Sequence, residues 1–238
     1  MVTIEPAERD AVAAFVAHIV ARLARTPRMA LGLATGATMV PVYAGLVAAH
    51  RAGEVSFRDV TSFNLDEYVG IAPGHPSSYR ATMDALLFSK VDIDPARTFV
   101  PLGDAPDLAA EAARYEQAIR DAGGIDLQLL GIGSNGHIGF NEPGSSFASR
   151  TRIVDLHPAT RAANAGFFPD AEVPRQAITM GIATILSARS LAVLATGAGK
   201  RDAVRAALHG PATPACPASA LQSHPDAGWW LDATAGAG

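Results

Sequence analysis

Short apolar segments typical of buried strands alternate with segments of helical periodicity along most of this 238-residue chain. The predicted strands are residues 28–33, 60–65, 125–132, 191–194 and 229–231, and the predicted helices are residues 12–23, 40–50, 108–121 and 200–208. Such alternation is the pattern of an α/β protein in which helices cover both faces of a mostly parallel sheet. The sequence therefore predicts a three-layer α/β/α fold of the Rossmann-like kind.

The composition is that of a globular protein, and we expect one domain that spans residues 1–238. Hydrophobic residues make up 49% of the chain and charged residues 18%, which leaves ample material for a core. No linker rich in proline, glycine and serine divides the chain, and we find no internal repeat of fixed period.

The charge distribution disfavours nucleic acid as a partner, because the net charge is −4 and no run of lysine and arginine is present. This charge distribution is still compatible with binding of a single phosphate group, since a few local hydrogen-bond donors are enough to hold one. Cys216 is the only cysteine, so no intrachain disulfide can form, as is typical of a reducing compartment. The first residues do not read as a signal peptide, and no apolar run is long enough to span a bilayer. We therefore expect a cytoplasmic protein that does not bind membranes.

Four unusual loops follow predicted strands directly, at residues 35–38, 66–68, 133–142 and 197–200. In open α/β sheets, ligands bind outside the carboxyl ends of the strands. We therefore expect all four loops to gather on one rim of the sheet and to form the functional site there.

Two of these loops have features of an anion site. Thr35, Gly36, Ala37 and Thr38 offer hydroxyls and backbone N–H groups ahead of a predicted helix, whose dipole favours an anion. An ordinary strand-to-helix turn with Thr38 as the N-cap explains the same residues. Lys200 begins another predicted helix, where a cation is unfavourable unless an anion binds nearby, although a solvated lysine is the alternative. Neither loop matches a nucleotide-binding motif.

The loop at residues 66–68 begins with two carboxylates, Asp66 and Glu67, after an apolar strand. A carboxylate at a strand end often caps the next turn. The alternative is a general base whose pKa is tuned by burial.

The glycine-rich segment at residues 131–143 is the most informative in the chain. It holds Asn135, His137 and Glu142, and an imidazole near a carboxylate can accept and return a proton near neutral pH. A structural turn with a hydrogen-bonded histidine is the alternative. A zinc site is poorly supported, because no third ligand stands at a suitable spacing. The segment favours catalysis.

These residues resemble the glucosamine-6-phosphate deaminase family (also called isomerases), and the resemblance covers nearly the whole chain in order. The matching stretches are residues 31–36, 63–70, 75–79, 131–143, 149–152, 160–161, 177–181 and 217–222. The most specific of them is Gly-His-Ile-Gly-Phe-Asn-Glu-Pro, at residues 136–143.

The resemblance implies a three-layer fold and the conversion of glucosamine 6-phosphate to fructose 6-phosphate and ammonia, without a metal or cofactor. It implies that Asp66 is the base that moves a proton from C2 to C1. His137 would open the pyranose ring, assisted by Glu142 and Asn135.

The same resemblance implies that the two loops with features of an anion site bind the phosphate group of the substrate. Thr38, the amide of Ala37 and Lys200 match positions that hold this phosphate. Ala37 and Thr38 belong to the loop that also includes Thr35 and Gly36, and Lys200 belongs to the loop at residues 197–200.

Three positions depart from the family pattern. Ala37 stands where a second glycine is usual, which would cause strain if this residue needs a positive φ. Gly166 stands where an arginine typically grips the phosphate, so we expect weaker binding or a related substrate unless Arg161, Arg175 or Arg201 substitutes. Val154 stands where regulated members have a basic residue, so we expect no activation by an amino-sugar phosphate.

Three alternative functions stay open at this stage. A 6-phosphogluconolactonase-like hydrolase would not need Asp66, and galactosamine 6-phosphate shares all the reacting atoms of the proposed substrate. A non-catalytic sugar-phosphate sensor would be expected to carry a DNA-binding module, which the sequence lacks. The sequence leaves a homo-oligomer open as well.

Overall fold

The computed structural model describes residues 1–169 and 172–237. Its strands are β1 (Val2–Glu5), β2 (Ala30–Leu33), β3 (Thr61–Asn64), β4 (Asp66–Tyr68), β5 (Thr98–Phe99), β6 (Leu127–Gly131), β7 (Arg152–Asp155), β8 (Gln176–Thr179), β9 (Leu191–Ala195) and β10 (Ala227–Asp232). Its α-helices are α1 (Glu8–Arg25), α2 (Val40–Arg51), α3 (Tyr79–Leu86), α4 (Leu108–Asp121), α5 (Pro158–Asn164), α6 (Ile182–Leu186) and α7 (Arg201–His209). None of these helices is long and apolar enough to cross a membrane.

Seven strands form one parallel sheet in the order β1-β10-β9-β6-β2-β3-β5, with β6 near its centre. Because strand–helix–strand connections in parallel sheets are right-handed, α1 and α2 cover one face and α4 and α7 cover the other. The helices bury apolar side chains at intervals of three or four residues, as α1 does with Phe15, Ile19 and Leu23. The three-layer α/β/α prediction is therefore confirmed.

Each predicted strand and helix is present, with ends that differ by a few residues. The sequence patterns did not predict β1, β5, the short helices α3, α5 and α6, or a small antiparallel sheet of order β4-β8-β7. Residues 66–68, predicted as a loop, are strand β4, because they pair with β8 from a distant part of the chain. A three-residue polar segment has no apolar periodicity, so its tertiary partner decides its structure.

The sequence Leu-Ala-Thr-Gly-Ala occurs twice, at residues 33–37 where β2 ends and at residues 194–198 where β9 ends. We call these segments turn 1 and turn 2. In both, the glycine has a positive φ, +123° at Gly36 and +88° at Gly197. A short 3₁₀ segment then leads into α2 or α7. The two turns therefore share their local structure as well as their sequence.

An aspartate at the end of the neighbouring strand, or just after it, lies beside each turn. The parallel register of β2 with β3 puts Asp66 beside Thr35, and that of β9 with β10 puts Asp232 beside Thr196. Because β2 and β9 lie on opposite sides of β6, the two strand pairs flank the central strand on either side.

Candidate active site

A cleft of about 590 Å³ opens at the carboxyl ends of the central strands, and α3 and α5 complete its wall. All four predicted loops reach it, although the last one does so only through Lys200. The predicted site residues that line it are Thr35, Gly36, Ala37, Thr38, Asp66, Asn135, His137 and Lys200. Glu142 lies behind Asn135 and His137, within contact of both.

Asp66 is a buried carboxyl group at the base of this cleft, 4% exposed. Burial, reinforced by the nearby charge of Glu67, raises the pKa of Asp66 to about 8. The hydroxyls of Thr35 and Thr179 oppose that shift by hydrogen-bonding the carboxylate. The group can therefore both accept and return a proton near neutral pH.

Glu67 points the other way, because successive side chains of a strand alternate between its faces. Its carboxylate accepts N–H bonds from Tyr68 and Tyr79 at 2.9 Å and from Arg80 at 3.0 Å. The last two are the first amides of α3, so Glu67 caps that helix. Glu67 therefore has the capping position, whereas the buried carboxyl group of Asp66 is the candidate base.

The hydrogen bonds around His137 fix its tautomer. The side-chain amide of Asn135 donates to Glu142 Oε2 at 2.8 Å, and a carboxylate accepts only, so the amide oxygen faces the imidazole. That oxygen lies 2.7 Å from His137 Nδ1, which therefore carries the proton. Nε2 keeps its lone pair and can act as a base.

The protonation of His137 responds to both of its charged neighbours. Burial lowers the pKa of the imidazole, the charge of Glu142 raises it, and the charge of Lys200 lowers it further. Burial also lowers the pKa of Lys200. A pKa lowered in this way favours the neutral imidazole, in which Nε2 has a lone pair.

Two glycines allow the histidine loop to pack this closely. A Cβ at Gly133 would lie 2.2 Å from the imidazole ring of His137. Gly136 has a φ of +85°, and a Cβ there would lie 2.6 Å from Cys216 Sγ. A side chain at Gly133 would therefore displace the imidazole, and one at Gly136 would strain the backbone and press on Cys216.

Sequence reasoning missed several residues of the site, of which Thr160 is the clearest. Its hydroxyl donates to Glu142 Oε1, which ties α5 to the histidine loop. Tyr79 and His157 also line the cleft. Thr160 and Tyr79 fall within the stretches that carry the family resemblance, but no local pattern marks them as functional.

The second asparagine of the glycine-rich segment has a structural position. Asn141 is fully buried, and its amide nitrogen donates to the carbonyl oxygens of Ile138 and Met180 at 2.9 and 2.8 Å. Its oxygen accepts from Arg152 at 2.8 Å. These bonds fasten the loop to the chain after β8.

Ala37 causes no strain, because every residue with a positive φ in the described part of the chain is a glycine, and Gly36 supplies that conformation here. At Gly166, a Cβ would meet no heavy atom within 4 Å, so the backbone position itself does not require glycine.

None of the three arginines considered as substitutes lines the cleft, where Lys200 is the only lysine or arginine among the described lining residues. Arg161 and Arg201 instead donate to the carbonyl oxygens of Val173 and Thr234. Val154 packs at the edge of a small apolar cluster.

The profile of the family described as glucosamine-6-phosphate isomerases/6-phosphogluconolactonase matches residues 4–230. A protein of Shewanella loihica named glucosamine-6-phosphate deaminase is 56% identical over 218 residues, which cover 91% of this chain and 81% of that protein. A protein of the same name from Rhodopirellula baltica is 51% identical over 235 residues, which cover 98% of this chain and 94% of that protein.

A solved structure described as a monomeric glucosamine-6-phosphate deaminase is similar with a TM-score of 0.95 and 43% identity, and 98% of each chain is covered. The 6-phosphogluconolactonase of Trypanosoma brucei has a TM-score of 0.75 at 21% identity over 99% of this chain and 97% of its own, and so shares the fold. The extent of the profile match and the identity of the relatives place this chain in the glucosamine-6-phosphate isomerase/6-phosphogluconolactonase family.

Proposed function

We propose that this protein is a glucosamine-6-phosphate deaminase, which converts glucosamine 6-phosphate and water to fructose 6-phosphate and ammonia. The observation that carries the proposal is the presence of two separate proton-transfer groups on one cleft. Asp66 is a buried carboxyl whose pKa is raised to about 8, and His137 is an imidazole with an available lone pair. An aldose-to-ketose shift needs both.

Ring opening is assigned to His137. Nε2 removes the proton of the C1 hydroxyl and returns it to the ring oxygen as the C1–O5 bond breaks. Asn135 holds the Nδ1 proton, and Glu142, with its Oε2 3.7 Å from Nδ1, stabilises the imidazolium that forms in between. Thr160 restrains Glu142 from the other side.

The shift itself is assigned to Asp66. Its carboxylate removes the proton from C2 of the open chain while the C1 oxygen takes up a proton, which gives the enolamine. Asp66 then delivers its proton to C1, and the nitrogen lone pair forms the iminium double bond at C2. Water adds at C2, the C2–N bond breaks to release ammonia, and the new C2 hydroxyl loses a proton to leave the ketone, which balances the proton taken up at the C1 oxygen. Every step is a proton transfer or a hydrolysis, so the chemistry calls for no electron acceptor.

The phosphate is assigned to turn 1 and Lys200. Thr35, Gly36, Ala37 and Thr38 line the same cleft as the ammonium group of Lys200. Backbone N–H groups at the start of a helix favour an anion. With one lysine and no arginine among the described lining residues, we expect weaker phosphate binding than an added arginine would give.

Among the alternatives, a lactonase would hydrolyse an ester without deprotonating carbon, and a buried base such as Asp66 supports the deaminase. Galactosamine 6-phosphate is the closer rival, because it differs only at C4. A non-catalytic sensor is disfavoured by the hydrogen-bonded arrangement of Asn135, His137 and Glu142.

All residues in this account lie on one chain, so the reaction does not require a homo-oligomer. We further propose that the chain works as one domain in the cytoplasm, where phosphorylated sugars are retained. With Val154 at the edge of an apolar cluster, we expect no activation by an amino-sugar phosphate.

The test is ammonia release from glucosamine 6-phosphate and from galactosamine 6-phosphate. We expect release that is lost in Asp66→Asn, and the faster substrate identifies the sugar. Folded protein that releases ammonia from neither sugar would contradict the proposal.

A further inference from the structure

Asp232 lies outside the cleft and contacts turn 2, from which Lys200 reaches the cleft. Its side chain is 6% exposed, and a carboxylate is buried at low cost only when its oxygens are hydrogen-bonded. Oδ1 accepts from the N–H of Ala235 at 2.7 Å, and the Thr234 hydroxyl lies 3.0 Å from both oxygens. Oδ2 also accepts from the N–H of Gly197 at 3.1 Å, and this bond reaches turn 2.

A second hydrogen bond continues from Gly197 to Lys200. The carbonyl oxygen of Gly197 accepts the backbone N–H of Lys200 at 3.0 Å. Just beyond, Arg201 Nε donates to the carbonyl oxygen of Thr234 at 3.2 Å. The backbone of Lys200 is therefore anchored on both sides to the turn that follows β10.

The side chain of Lys200 has no comparable restraint. Among residues 1–169 and 172–237, no carboxylate forms an ion pair with its ammonium group. The direction in which this lysine enters the cleft is therefore set by the backbone of turn 2.

We propose that Asp232 is a positioning residue for phosphate binding, which acts through Gly197 on Lys200. The inference rests on the proposed role of Lys200 in holding the substrate phosphate. Loss of the carboxylate releases turn 2, so phosphorylated ligands bind more weakly. Asp66 does not contact turn 2, and His137 is coupled to it only through the charge of Lys200, which the variant retains, so the proton transfers keep nearly the same rates.

The test compares Asp232→Asn with the parent in steady-state kinetics and in calorimetric binding of fructose 6-phosphate. The amide keeps the size of the side chain but accepts on one atom only, so one of the two N–H bonds is lost. We expect KM and the dissociation constant to rise about tenfold, with kcat within about threefold of the parent. The matched control is Asp202→Asn, which removes an exposed carboxylate from the adjacent α7, with KM unchanged.

A double variant separates positioning from general destabilisation. If Asp232 acts through Lys200, then adding Asp232→Asn to Lys200→Gln raises KM by less than about twofold, because the interaction is already lost. Additive effects overturn the proposal, as does an unchanged KM in folded Asp232→Asn. Should that variant fail to fold, Asp232→Glu keeps the charge but displaces the carboxylate from the N–H of Gly197. We then expect KM to rise about threefold, and an unchanged value overturns the proposal.

Calorimetric binding of fructose 6-phosphate tests the positioning role of Asp232 independently of the deaminase reaction. Protein that releases no ammonia but binds fructose 6-phosphate, with tenfold weaker binding in Asp232→Asn, contradicts the reaction and supports the positioning role. Full deaminase activity, together with identical binding of fructose 6-phosphate in the parent and in Asp232→Asn, supports the reaction and contradicts the positioning role.

Discussion

Turn 1 and turn 2 have the same five residues and the same backbone path, yet only one of them forms a wall of the cleft. Residues 34–40, around turn 1, all line it, whereas from turn 2 and the start of α7 only Lys200 does. Thr35 contacts Asp66, while Thr196 contacts Glu8 on the protein surface at 3.3 Å. A strand that ends in Leu-Ala-Thr-Gly-Ala therefore specifies a turn, and its neighbours specify the function.

The paired aspartates differ for the same reason. After Asp66 the chain continues as β4 into the small sheet, which leaves the carboxyl group facing the cleft with a raised pKa. After Asp232 the chain folds back, and Thr234 and Ala235 supply donors to the carboxylate. One carboxylate is a candidate base and the other is a structural acceptor, although both occupy equivalent places beside a turn.

The largest effect is expected from the same substitution at the two aspartates. Asp66→Asn should lower kcat by about 10²–10⁴-fold, because the amide cannot take the C2 proton. Asp232→Asn should leave kcat nearly unchanged and act on KM. Steady-state kinetics on both variants checks the contrast, and a similar loss of kcat in both would remove the distinction.

A second cation at the cleft should make phosphate binding less dependent on Lys200, which follows turn 2. In Gly166→Arg the Cβ meets no heavy atom within 4 Å, and a charge-assisted contact with the phosphate should lower KM by about ten- to a hundredfold. Gly166→Gln, which is long but uncharged, is the control. No change in KM for the arginine variant would mean that residue 166 does not face the phosphate.

Substitution of Thr35 in turn 1 should change the pH dependence of the reaction, whereas substitution of Thr196 in turn 2 should not. Asp66 must be ionised to act, and its pKa is about 8, so kcat/KM should rise with pH up to about that value. Thr35 lowers this pKa, so Thr35→Val should shift the rise to higher pH and reduce kcat/KM near neutral pH about tenfold. Thr196→Val should change neither, and pH–rate profiles of both variants measure the difference.

Stability should respond to the two aspartates with opposite sign. Because the pKa of Asp66 is higher in the folded state than in the unfolded chain, folding is weakened as pH rises from about 4 to 8. Asp66→Asn removes that effect, so its Tm should exceed the parent's above pH 8 by about 2–4 °C or more. Asp232→Asn should lower Tm, since it breaks hydrogen bonds. Thermal unfolding between pH 5 and 9 tests both, and equal signs would contradict the comparison.

Much of the architecture was predictable, because a parallel sheet with covering helices imposes strong periodicities on the chain. The central strands, the long helices and the rim at which four loops meet all follow from apolar patterns. The short β4 and the contact of Thr160 with Glu142 were not predictable, since both depend on partners far along the chain.

The sequence by itself determined the layered fold, the two identical turns and the identity of the groups that can move protons. Tertiary structure decided which copy of the turn faces the cleft, which carboxylate of the pair Asp66 and Glu67 enters it, and which nitrogen of His137 keeps its lone pair. The physical reason is that local sequence sets backbone geometry and side-chain chemistry. Burial, alternation within a paired strand and hydrogen-bond partners arise only when distant segments meet.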